Sequence, residues 1–301
     1  MEKERSLQEL FGREMPYTIE VDHIKRKFLN LSFGRHERQK LDIYLPEDGD
    51  GPFPVIIYLH GGAFKLGDKS DSQVLPFLEG IELGYAVISV NYRLSTEAKF
   101  PEPLFDIKAS IRWIRAHALE YNLNPDNIAL TGASAGAYYA VMTAATQDNP
   151  EFEGAYIGNS EFSSKVKVVI DWYGPTNFLC IRDHFEESGL SIVIPSPKDG
   201  VPTPEELLLG ASLKDIKGLA MFTNPITYIN ESFPPIMIQH GKIDPIVPYQ
   251  QSIILAEAIE KNGGKNQCIL DIADGYSHVD TRFENKRNMK KVFDFLDTYL
   301  K

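Results

Sequence analysis

The stretch ALTGASAGAYYAVM, residues 129–142, passes from a short apolar run into a helical one through a turn with almost no side-chain bulk. Within it, Gly132-Ala133-Ser134-Ala135-Gly136 is a G-x-S-x-G pentapeptide in a strand-turn-helix context. Such a turn holds its central residue in a strained backbone conformation, and only tiny residues two positions to either side let strand and helix pass that closely. The helix beginning there points free N–H groups at any negative charge developing beside Ser134. A tightly packed turn without chemistry would explain the glycines equally well, so the reading depends on what the rest of the chain supplies.

Outward from this turn the chain alternates strands and helices. KLDIYLP (40–46) sets Leu41, Ile43 and Leu45 on one face with period two, as an early, antiparallel strand would. VIIYLH (55–60), YAVISVNY (85–92), NIALTG (127–132), VKVVIDWYG (166–174) and PIMIQHG (235–241) are apolar and β-branched, which suits parallel strands covered on both faces. Between them, 106–123 carries Ile107, Ile111, Ile114 and Ala118 along one helical face, 250–264 ends in a glycine pair, and the closing NKRNMKKVFDFLDTYLK is amphipathic. The pattern predicts one domain over 1–301 with a doubly wound, mostly parallel α/β sheet. Residues 176 to about 230 break the rhythm with Pro/Gly punctuation and two short helical pieces, and read as an insertion above the C-terminal edge of the sheet.

Three further segments bear on Ser134. LHGGAFKLGD (59–68) follows a buried strand, and its glycine pair brings backbone N–H groups close to a substrate oxygen, with Gly62, Ala63 and Ala135 as candidate donors. His60, just before that turn, reads as a residue that pins the loop. IMIQHGKIDPIVPYQ (236–250) places Asp244, and ADGYSHVD (273–280) places His278, each in a loop after a strand. The chain order Ser134, Asp244, His278 suits a nucleophile, a carboxylate that fixes the imidazole, and a general base. His240 is a rival base, and Asp271 and Asp274 are rival acids.

Composition narrows the classes. A formal net charge of −11, from 31 basic and 42 acidic residues, repels phosphate backbones and anionic lipid, which argues against nucleic acid as a partner. The charged opening MEKERSLQELFGREMPYT is unlike a signal peptide, and later segments fall short of a membrane span, so a cytoplasmic protein is the expectation. Cys180 and Cys268 read as free thiols. The spacing of His, Cys and Asp suggests no metal, and without a phosphate loop or dinucleotide fingerprint no cofactor is expected.

Taken in order, LDIYLP, HGGAFKLGDKS, SVNYRL, FPEPLFDIKASIRWIRAHALEYNLNPDNIALTGASAGA, VVIDWYGPTNF, NPITYI, PPIMIQHGKIDPIVP and GYSHVD span about residues 40–280. The chain thereby resembles the α/β-hydrolase esterases and lipases of the hormone-sensitive-lipase-like and BD-FAE (bacterial feruloyl and acetyl-xylan esterase-like) group. The resemblance implies an α/β-hydrolase fold with a lid-like insertion and a serine carboxylesterase acting on a small or carbohydrate-linked ester. It makes Ser134, Asp244 and His278 the triad, with Gly62, Ala63 and Ala135 as oxyanion donors. Ala63 replaces the third glycine of the commoner H-G-G-G, keeping the main-chain donor while its methyl narrows the acyl side. Phe64, Trp172 and Tyr173 are candidate pocket residues, the latter two equally readable as packing at a strand end. A prolyl-oligopeptidase-like peptidase shares the elbow and a similar HGxxDxxVP segment, but the chain encodes no propeller. A hydrolase-like binding module is the other alternative, against which the complete triad argues. The insertion reads as a lid or, alternatively, as the contact of a homodimer.

Overall fold

The computed structural model describes residues 17–147, 149–190, 200–263 and 268–301. Eight strands form one sheet in the order β1-β2-β4-β3-β5-β6-β7-β8. They are β1 (Lys27–Ser32), β2 (Lys40–Tyr44), β3 (Phe53–Leu59), β4 (Ala86–Val90), β5 (Leu123–Ala133), β6 (Val168–Trp172), β7 (Ile236–Gly241) and β8 (Cys268–Ala273). β2 is antiparallel to β1 and β4, and the strands from β4 to β8 run parallel. β1 was not foreseen from the sequence: it is an edge strand, mostly exposed, and KFLNLS carries no buried face to read.

Seven helices are described: α1 (Glu102–Ala116), α2 (Ala135–Ala145), α3 (Ile181–Ser188), α4 (Pro204–Leu209), α5 (Lys217–Phe222), α6 (Gln250–Asn262) and α7 (Lys286–Leu300), besides single helical turns such as Leu75–Leu78. The strands' period of two splits the core. Val55, Ile57, Leu59, Ile88, Leu130 and Ile238 face α1, α2 and α6. Ile56, Tyr58, Val87, Ala129, Ile170 and Met237 face the opposite layer, where Phe77 and the α7 residues Val292, Phe293 and Leu296 lie. This is the doubly wound arrangement expected of buried parallel strands. Among the described residues no helix is long and apolar enough to cross a membrane.

Two boundaries differ from the sequence reading. α1 starts at Glu102, with Pro103 suited to a first turn, and ends at Ala116 rather than near 123. His117 ends it, with Nδ1 2.8 Å from Trp113 O and its ring stacked on Trp113, and Leu123 already belongs to β5. Among its described residues the insertion holds three helices, against the two short helical pieces expected. α4 is set by a capping box between Thr203 and Glu206, while α5, KGLAMF, is too short to show a period. The insertion's base is packed: Phe178 and Phe185 are buried in the core, with Leu179 and Leu190 against it. Ile192, Val193 and Ile194 of the insertion lie outside the described residues.

Candidate active site

The elbow is made by close backbone approach. Ser134 joins β5 to α2 at φ 53°, ψ −120°, and its N–H donates to Trp172 O at 2.8 Å. A Cβ on Gly132 would lie 2.4 Å from Gly136 C, and one on Gly136 would lie 2.1 Å from Leu59 O, so neither position accepts a side chain. The helical ladder opens with Tyr138 N–H donating to Ser134 O, which leaves Ala135, Gly136 and Ala137 as the first-turn donors ahead of it.

The turn after β3 runs beside this elbow: a Cβ on Gly61 would meet Ser134 Cβ at 3.5 Å. Gly62, Ala63 and Phe64 have φ of 128°, 52° and 61°, and Lys65 and Leu66 N–H close the turn on Gly62 O. For Ala63 and Phe64 that conformation costs about 1 kcal/mol each, so something must hold it. His60 does so. Arg38 Nη2 lies 3.2 Å from His60 Nε2 and can only donate, so His60 Nδ1–H donates to Gly61 O at 2.8 Å. Arg38 Nη2 also donates to Gly67 O at 2.9 Å, and Tyr92 stacks on the His60 ring while its hydroxyl donates to His60 O. Burial pushes the His60 imidazole down to about 4, so it stays neutral at neutral pH. Arg38 had no signal in the sequence, because it reaches this turn from the β1–β2 connection.

His278 Nε2 lies 3.0 Å from Ser134 Oγ, and His278 Nδ1 lies 2.6 Å from Asp244 Oδ2. Asp244 is fully buried, and its Oδ1 accepts the N–H groups of Ile246 and Val247 at 2.8 and 2.9 Å. Burial alone would raise its pKa. The charge of His278 and the hydrogen bonds from His240 and His278 outweigh it and hold the carboxyl well below the usual range. The His278 loop is tied by Asp280, which accepts Ser277 N–H and pairs with Arg282, whose guanidinium also donates to Gly275 O and lies over Tyr276.

The rival residues are engaged elsewhere. His240 is buried between Ser252, Val247 and Asp244. Asp274 is exposed and paired with Lys242, and Asp271 accepts from Gln239 and lies 3.4 Å from Lys291. Tyr173 sits edge-on to His278 with ring centroids 4.7 Å apart. Trp172 is corrected from pocket wall to core: it shares the parity of Val168 and Ile170 on β6, packs on Phe77, and donates Nε1–H to Gln239 Oε1. Phe64 is buried edge-on to Tyr138, Tyr139 and Phe178, so the insertion's base and the turn after β3 meet through it. Gln251, which the sequence did not mark, takes Thr176 and Asn177 N–H on its Oε1 and donates Nε2 to His184, fastening that base to α6.

Comparison with known proteins places this geometry in context. The sequence profile of BD-FAE matches residues 41–259. The probable carboxylic ester hydrolase LipM of Mycobacterium tuberculosis is 30% identical over 227 residues, which is 74% of this chain and 49% of LipM. The chain spans about half the length of the first curated relatives it matches. Among solved structures, a bifunctional GH43-CE of Bacteroides eggerthii superposes with TM-score 0.79 at 28% identity, over 93% of this chain and 38% of that one. A truncated carbohydrate esterase from gut microbiota gives TM-score 0.79 at 26% identity, over 94% of this chain and 99% of that one. The architecture is the α/β-hydrolase fold.

Proposed function

Because this chain belongs to the BD-FAE family, we propose that it is a serine carboxylic-ester hydrolase working through an acyl-enzyme on Ser134. The observation that carries the proposal is the continuous contact Ser134 Oγ–His278 Nε2–Asp244 at 3.0 and 2.6 Å, with the serine held in the left-handed region at the start of a helix. In this reading Ser134 Oγ attacks the ester carbonyl carbon as His278 Nε2 takes its proton. The carbonyl oxygen becomes an oxyanion beside the N–H groups of Gly62, Ala63 and Ala135. When the tetrahedral intermediate collapses, the C–O bond to the alcohol breaks and His278 returns the proton to the departing oxygen. Water then repeats the sequence on the acyl-Ser134 ester and releases the acid. Asp244 keeps Nδ1 protonated and stabilises the imidazolium.

The acyl group we propose is short, and the alcohol small or carbohydrate-linked. The Ala63 methyl, and the aromatic packing of Phe64 on Tyr138 and Phe178, support a cramped acyl side. The likeness to carbohydrate esterases supports a sugar-bearing alcohol. The base of the 176–230 insertion packs on the same aromatics, which supports a role as pocket wall within a single domain. The test is hydrolysis of p-nitrophenyl acetate, butyrate and octanoate beside acetylated xylan and methyl ferulate. The expected order is acetate first and octanoate last; a preference for octanoate would refute the short-acyl reading.

A further inference from the structure

His240 is the penultimate residue of β7, is fully buried, and takes no part in the steps above. Its Nε2 lies 2.9 Å from Val247 O and 3.2 Å from Asp244 Oδ2, and its Nδ1 lies 2.7 Å from Ser252 Oγ. A carbonyl oxygen only accepts, so Nε2 carries the proton and shares it between Val247 O and the carboxylate. The Ser252 hydroxyl is then placed to donate to Nδ1. Asp244 thus has two main-chain donors on Oδ1 and two imidazoles meeting at Oδ2.

We infer that the hydrogen-bonded relay runs on past Asp244 to His240 and Ser252, and that His240 is a positioning residue that orients the acid and sets the basicity of His278. The inference rests on the ester-hydrolase reading. Its physics is a competition for one oxygen. Each donor on Oδ2 disperses the carboxylate's charge, so removing His240 leaves more of that charge facing His278, favours the imidazolium, and raises the pH at which the base becomes free. The charged and titratable groups facing His240 are Asp244 on its own loop, His278 across Oδ2, Asp171 on β6, and Tyr173, whose ring centroid is 6.5 Å away. A side chain that merely filled space would change stability or overall rate but leave that midpoint alone.

The test follows kcat and KM for p-nitrophenyl acetate from pH 5 to 9 in wild type, His240→Leu, His240→Gln and Ser252→Ala. His240→Leu is expected to lower kcat about tenfold, keep KM within about twofold and raise the acid-limb midpoint by about one pH unit. His240→Gln, whose amide N–H reaches the Nε2 position, restores most of both, and Ser252→Ala shifts the midpoint the same way by less. One measurement needs no variant to fold: the ring 15N shifts of the wild type should report His240 as the neutral Nε2–H tautomer. An Nδ1–H tautomer overturns the inference, and so does a His240→Leu profile with the wild-type midpoint whatever its kcat. Failure of fluorophosphonate to label wild-type Ser134 overturns the hydrolase reading and the inference with it, and is read independently of the tautomer.

Discussion

Ser134 and His278 approach to 3.0 Å, yet opposite kinds of force hold them. On the elbow side the work is done by main chain against main chain: Gly136 against Leu59 O, Gly132 against Gly136, and Ser134 N–H on Trp172 O. On the acid–base side it is done by side chains, with Asp244 gathering four donors and Asp280 with Arg282 tying the loop that carries His278. The elbow therefore tolerates no added atoms, whereas the acid–base side, close-packed at Gly241 but open at Gly275, depends chiefly on keeping its donors and acceptors.

The largest expected effect is chemical. Ser134→Ala should fold and lose roughly 10⁶-fold in kcat, since only the oxyanion donors remain; keeping more than about a tenth of wild-type turnover in contamination-controlled p-nitrophenyl acetate assays would break the assignment. Next, Asp244→Asn should fold and bind ester but lose about 10⁴-fold in kcat through the wrong imidazole tautomer. Asp271→Asn and Asp274→Asn should stay within about twofold, and a crippled Asp274→Asn would show that the acid had been misassigned. The third contrast is steric. Gly136→Ala forces a Cβ to 2.1 Å from Leu59 O and should destabilise by about 3 kcal/mol in urea unfolding. Gly275→Ala, at φ 72° with open space around it in the His278 loop, should cost only about 1 kcal/mol. Equal costs would erase the difference between the two sides.

The smallest contrast is a matter of pH. Asp171, buried on β6 beneath the elbow, accepts Gly174 N–H at 2.9 Å, and burial raises its pKa from 3.8 to about 6. The folded protein thus holds a proton that the unfolded chain releases between those values, so this contribution is complete below about pH 4 and lost as pH rises to about 6. Asp171→Asn should match wild type at pH 4 and gain up to about 3 kcal/mol above pH 7. Parallel stability curves for the two proteins would contradict that assignment.

The same contrast explains what could be read from the sequence. The elbow is local: strand, glycines, serine and helix occupy one run of fourteen residues, so 129–142 discloses it. The positions of Asp244 and His278 were legible because each follows a strand, and strand ends of a parallel sheet share one rim. Their supports were not legible. Arg38 meets His60 across 22 positions and Gln251 meets Thr176 across 75, spacings set by topology with no local pattern. Trp172 stays open between pocket wall and packing in the sequence, because a strand's last residue can read as rim, whereas its parity with Val168 and Ile170 turns it into the core.

The central claim is that Ser134 carries the acyl group. Rapid-quench of wild type with p-nitrophenyl acetate at low pH, followed by peptide mass spectrometry, tests it most directly. The account predicts a burst of nitrophenol and an acetyl mass increment on the peptide bearing Ser134, absent in Ser134→Ala. Full turnover with that peptide unmodified, or an acetyl group trapped on a different side chain, would contradict it.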